Sequence, residues 1–298
     1  PPSRPDRQFG GRDWRRGSSV AAMGDLAVDA ALTDRGDGTF GCSLSREWEI
    51  WGPNGGYMAA IALQAAHIAT ARPKPANATV HFLAAASFDE PVVVTPTVQR
   101  STRVATSVRV AVTQADRPIL EAMVWAVDDD LPGLQHDGPS PPATAGSWRD
   151  HPTMDERWAA KGVDRPSTYR FWDNLELRPP AWVDDWERRS GLDPVYLDWI
   201  RFVSVSATDP WAEAARLLLL VDLGAWPAAN RMHVQSDFIA PSIDVSCEFH
   251  HLGEHSGWYL LRGESPVAGG GLVASHQEVW DDHGRLLASG ISHLLCRP

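Results

Sequence analysis

Residues Trp51–Ala71, WGPNGGYMAAIALQAAHIATA, decide how the rest of the chain is read. The stretch opens on a turn signal, Gly52-Pro53-Asn54-Gly55-Gly56, and continues without one charged side chain. Met58, Ala59, Ala60, Leu63, Gln64, Ala65 and Ala66 are strong helix formers, and no proline follows before Pro73. A helix on a protein surface shows charge along one face. This one is apolar or small nearly all round, so it must be enclosed on most sides. It is too short and too alanine-rich to cross a bilayer, which takes roughly 20 strongly apolar residues. The expectation is a buried helix surrounded by strands.

The flanking sequence supplies the strands. Upstream, Gly38–Ile50 is β-like. Downstream of Pro73-Lys74-Pro75, strand patterns run over Ala78–Phe88, Pro91–Arg100, Arg103–Thr113 and Ile119–Val127, the last after the turn Ala115-Asp116-Arg117-Pro118. The gaps are too short for crossover helices, so the sheet must be antiparallel. Asp128–Asp130 and the following LPGLQHDGPSPPATAG read as a linker, and residues 148–167 as irregular cover. The order then recurs: a strand at Tyr196–Val205, a helix at Trp211–Val221 opened by Asp209-Pro210, and strands at Ile243–His250, Trp258–Arg262, Gly271–Trp280 and Leu286–Leu295. Strand, helix and four strands, twice, imply a duplicated domain. The division expected is 1–22 as an arm, 23–130 as the first unit, 131–167 as linker and cover, and 168–298 as the second unit.

Composition narrows the function. The chain has 298 residues, 43% of them hydrophobic, enough for a sizeable core in a soluble protein. Net charge is −11, and no basic patch interleaves with aromatics, which argues against nucleic acid. Cys42, Cys247 and Cys296 are far apart and odd in number, so no zinc site or disulfide framework is expected; a reducing cytoplasm fits. Residues 1–22 lack the apolar run of a secretory signal, are expected to be disordered, and give way to a natural start at Met23-Gly24-Asp25. Several of the 14 tryptophans lie between Trp148 and Trp211, where they either line an apolar groove or close a domain interface, the second being favoured.

A helix wrapped by a curved antiparallel sheet, present twice, resembles the double hotdog architecture, of α+β class. Particular residues sharpen the resemblance. GGYMAAIAL at Gly55–Leu63 is similar to the first central helix of bacterial type II (TesB-like) acyl-CoA thioesterases, and LLLLVDLGAWPAA at 217–229 to the second. SIDVSCEFH at 242–250 resembles that family's Thr-Ile-Asp strand, and GRLLASGIS at 284–292 its final turn and strand. The resemblance implies an acyl-CoA substrate, no cofactor and no metal. It also implies a water held by an Asp, a Thr and a Gln, which fall on Asp222, Ser242 and Ser292. Ser242 keeps a hydroxyl. Ser292 departs from the pattern, being too short to reach the same water without a second one between.

Thioester hydrolysis needs a positioned water, a base and donors aimed at the developing oxyanion. Asp222 follows four leucines and a valine, so its carboxylate is either desolvated or held by hydrogen bonds, unless it merely ends the helix in solvent. Ser242 alone also reads as a serine opening a strand after Pro241. The first amides of the opening helix, at Gly55, Gly56 and Tyr57, lack intrahelical partners and carry the positive end of the helix dipole. With Asn54, which reads first as the cap, they form the candidate substrate-binding set. Asp244, two residues from Ser242, is expected on the same face, where it either supports Ser242 or forms a cross-strand structural pair. His250-His251 lack a third ligand. The alternatives are a weakened acyl-CoA-binding protein, because of Ser292, and a hotdog enoyl-CoA hydratase, which would need an Asp and His together at a helix start. Exposed sheet edges favour a homodimer or larger homo-oligomer, and nothing suggests membrane insertion.

Overall fold

The computed structural model describes residues 23–163, 165, 169–233 and 238–297. The expected arm at 1–22 and the boundary placed at Thr168 lie outside these residues.

The first half contains α1 (Leu26–Asp29), β1 (Thr33–Asp34), β2 (Phe40–Cys42), α2 (Gly55–Ala69), β3 (Lys74–Phe82), β4 (Val92–Ser101), β5 (Ala105–Gln114) and β6 (Arg117–Val127). After α3 (Met154–Ala160) and β7 (Leu175–Arg178) come β8 (Val195–Phe202), α4 (Pro210–Leu223), α5 (Ala225–Asn230), β9 (Ser242–Phe249), β10 (Trp258–Gly269), β11 (Leu272–Asp281) and β12 (Leu286–Leu295). Among the described residues the strands join in one sheet, ordered β1-β2-β4-β5-β6-β3-β9-β12-β11-β10-β8-β7, and neighbours pair antiparallel throughout. Its first half, β2-β4-β5-β6-β3, repeats element for element as β8-β10-β11-β12-β9. The halves meet where Asn77–His81 pair with Glu248–Asp244. At that seam Ser246 Oγ donates to Thr79 Oγ1 at 3.1 Å.

Each half curls around its helix. Residues 56–63 of α2, with Ala65 and Ala66, are buried, as the lack of charge in that stretch requires. α4 is enclosed as well, from Leu217 to Leu223. Its two charged side chains near the start are buried as a pair, Arg216 Nη2 to Glu213 Oε2 at 2.7 Å, with Tyr259 Oη donating to the same oxygen at 3.0 Å. The helices lie against each other in opposite directions. His67 near the end of α2 stacks on Trp211 at the start of α4, with ring centroids 4.8 Å apart. At the other end, a Cβ on Gly56 would lie 2.6 Å from the Leu219 Cα.

Some boundaries move. Trp51–Pro53 form a turn, and α2 starts only at Gly55 because the Asn54 side chain accepts from Tyr57 N at 3.1 Å. The strand expected at Ala78–Phe88 runs over Lys74–Phe82, with a register shift between Pro75 and Asn77 that accommodates a residue lacking an N–H. β10 extends past Arg262 to Gly269, with a shift between Glu264 and Val267 around Pro266. The tryptophan-rich segment closes over the second half of the sheet: Trp148 stacks on Trp258 at 4.6 Å, and Trp199 Nε1 donates to Ala145 O at 3.2 Å.

Candidate active site

The antiparallel helix pair brings the end of α4 to the start of α2. Asp209 fixes the beginning of α4 by accepting from Trp211 N at 3.0 Å and Ala212 N at 3.2 Å, with Pro210 in the first turn. Three turns later the helix delivers Asp222, which is 7% exposed. Its Oδ1 accepts from Ser242 Oγ at 2.7 Å, and the backbone amide of Gly56 lies near the same carboxylate. Burial raises the carboxyl to about 6, and the Ser242 hydroxyl and the nearby Gly56 amide hold it from rising further. The Ser242 hydroxyl does not exhaust a carboxylate's acceptor capacity, so lone pairs remain for a water.

Gly55 sits against the other oxygen. A Cβ there would lie 2.8 Å from Asp222 Oδ2 and 3.2 Å from Phe82 Cζ. Asn54 caps α2 as described above. Tyr57 is fully buried; its hydroxyl donates to Asp29 O at 2.8 Å and accepts from Ser45 N at 3.1 Å, so its side chain anchors α2 to the preceding segment. Of the four residues expected at the helix start, Gly55 and Gly56 adjoin the carboxylate directly.

Ser242 reaches the interior because β9 bulges. Leu294 pairs with Ser242 and His293 with Asp244, so one step on β12 spans two on β9. The extra residue, Ile243, breaks the alternation, and Ser242 turns inward. Asp244 does not share its face. Its carboxylate pairs with His293 Nδ1 on β12 at 2.9 Å, the cross-strand pair rather than the support of Ser242. Ser292 is fully buried on the inner face of β12, two positions before Leu294. Its hydroxyl donates to Asp244 O at 3.0 Å, away from Asp222. His81 and His276 are exposed.

An antiparallel sheet wrapping a buried helix, twice and edge to edge, with a carboxylate between the helices, defines a double hotdog protein of α+β class. Residues 44–127 match the acyl-CoA thioesterase N-terminal domain and residues 149–294 its C-terminal domain; the chain belongs to the acyl-CoA thioesterase family. A candidate thioesterase II from Thermobifida fusca is similar with a TM-score of 0.76 at 18% identity, covering 93% of this chain and 98% of that one. The tesB protein of Mycobacterium avium subspecies paratuberculosis gives 0.71 at 19% identity, covering 93% and 99%. Acyl-CoA thioesterase II TesB2 from Mycobacterium marinum gives 0.70 at 19%, covering 91% and 98%. At these identities the likeness concerns the fold. No curated protein matches the chain. Among the described residues no helix is long and apolar enough to cross a membrane.

Nothing in the local sequence signals that the Gly56 amide adjoins the carboxylate supplied by the other half. Such a contact depends on how the two helices cross, and no local pattern encodes it.

Proposed function

We propose that the protein hydrolyses acyl-CoA thioesters to a free acid and coenzyme A, with Asp222 as the base and Ser242 holding both the carboxylate and the attacking water. The observation that carries this reading is the buried Asp222, bonded by Ser242 Oγ at 2.7 Å and lying against Gly55 at the start of α2. Asp222 takes a proton as water adds to the thioester carbonyl. The tetrahedral oxyanion forms beside the positive end of α2. Collapse breaks the C–S bond, and the proton held on Asp222 passes to the departing thiolate. The products are an acid and a thiol, so atoms balance without a covalent enzyme intermediate. The test is release of free coenzyme A from short, medium and long acyl-CoA. No release from any of them would sink the reading.

The pH profile follows from burial. The base acts when ionised, and its carboxyl is raised to about 6. The expected kcat/KM therefore rises about tenfold per pH unit below that value and is flat above about 7. An initial-rate series from pH 4.5 to 8.5 checks it; a profile already flat at pH 4.5 would remove Asp222 as the base.

One observation favours a second reading, binding without turnover: the Ser292 hydroxyl is occupied by Asp244 O. Tight acyl-CoA binding by calorimetry together with no thiol release would select it. A hydratase gains no such support, since His67 is stacked on Trp211 and Asp209 is occupied as the cap of α4.

A further inference from the structure

Serine at position 292 removes an amide from β12, but an amide stands on the adjacent strand. Gln277 on β11 is 1% exposed and pairs with Gly290, two residues before Ser292. The end of α4 rests on this pair. A Cβ on Gly224 would lie 3.1 Å from Gln277 Cγ, and one on Gly290 would lie 2.7 Å from Val221 Cγ1. The Gln277 side chain therefore begins beneath the residues that flank Asp222.

From there it runs along β11 toward Ser275, the partner of Ser292. Gln277 Nε2 donates to Ser275 Oγ at 2.8 Å, and Ser275 Oγ donates to Ser292 O at 2.9 Å. The Ser275 proton is thus committed to the Ser292 carbonyl. This fixes the amide's orientation, with nitrogen toward Ser275 and oxygen away from it. Gln277 Oε1 is buried and has no hydrogen-bond partner among the described residues. Proteins rarely bury an amide oxygen without a donor, and water is the smallest donor that satisfies one. Ser275 and Ser292 face each other across β11 and β12, and both are short. The next inner position of β12 after Ser292 is Leu294, which pairs with Ser242, the donor to Asp222.

We infer that Gln277 is a positioning residue for the attacking water, its amide on β11 taking the part that the family resemblance assigns to position 292 of β12. The inference rests on the hydrolytic reading above. It explains in one step why a buried glutamine sits under the end of α4 and why serine is tolerated at 292.

Gln277→Met tests it, since methionine keeps the length and packing under Gly224 but offers no amide. The expected result is a fall in kcat of about 100-fold with KM changed by less than about twofold. The double variant Gln277→Met with Ser292→Gln should recover at least about tenfold, because a glutamine from either strand holds the same water. Lost packing alone would not be repaired from another strand. Gln277→Ser, read out the same way, serves if the methionine variant does not fold. A Gln277 variant within about threefold of wild type, or a slow one that Ser292→Gln leaves slow, overturns the inference while the hydrolytic reading stands. A wild type that releases no coenzyme A from any chain length overturns both.

Discussion

Asp222→Asn is expected to lower coenzyme A release by about 1,000-fold or more while leaving the protein at least as stable at pH 8. The rate falls because an amide cannot take the water's proton, although its carbonyl still accepts from Ser242. Stability moves the other way because the native site disfavours the ionised acid. The folded carboxyl is raised from 3.8 to about 6, so the folded state holds the proton more tightly than the unfolded chain does. The contribution is present in full below pH 3.8 and is lost as pH rises through about 6. At neutral pH, burying the ionised group costs up to about 3 kcal/mol relative to the protonated one. Asparagine removes that cost but, with its carbonyl on Ser242, turns its NH2 toward the Gly56 amide, which offsets part of it. The net gain is on the order of 1 kcal/mol. Urea denaturation at pH 4 and pH 8 reads this directly: wild type should lose stability between the two, and Asp222→Asn should lose less. A variant that keeps the wild-type rate would remove Asp222 from the chemistry. One that unfolds more easily at pH 8 would show that the carboxylate is a stabilising partner of α2.

This opposition between stability and activity bears on what the sequence could reveal. Residues 51–71 advertise their burial, because an uncharged helix has few other places to go, and the apolar run at 217–221 does the same for the second helix. The repeated order of elements carries the antiparallel duplication as well. The site is less legible, for a physical reason in each case. Ser242 faces Asp222 only because Ile243 bulges, and alternation by twos placed Asp244 on the same face instead. Tyr57 looks like a helix-start residue facing a ligand, but its fully buried hydroxyl is tied to Asp29 and Ser45. The Ser292 departure is visible at once in the chain. The glutamine that adjoins it across the strands lies 15 positions away in sequence, and only the β11–β12 register makes the two neighbours. Patterns of one residue type along an element survive in sequence; pairings between elements do not.

The interhelical contact that builds the site also makes the strongest stability prediction. Gly56→Ala is expected to destabilise the protein by about 3 kcal/mol or more, lowering the melting temperature by about 5–10 °C. The added Cβ would lie 2.6 Å from Leu219 Cα, 3.0 Å from its Cγ and 3.1 Å from its Cβ. The first of these is backbone in the middle of a buried helix, so no rotamer change relieves it. α2 and α4 must separate, and separation opens a core in which residues 57–63 and 217–221 are all buried. Alanine's better helix propensity returns only about 1 kcal/mol, too little to reverse the sign. The same displacement moves the Gly56 amide away from Asp222, so kcat should fall along with stability. Gly133→Ala provides the control, because nothing lies within 4 Å of a Cβ built there. If Gly56→Ala melts with wild type while Gly133→Ala does too, the two helices are further apart than drawn and Gly56 is not what limits their approach. If it melts early but keeps full kcat, the α2 amide beside Asp222 is dispensable, and that carboxylate is held by Ser242 alone.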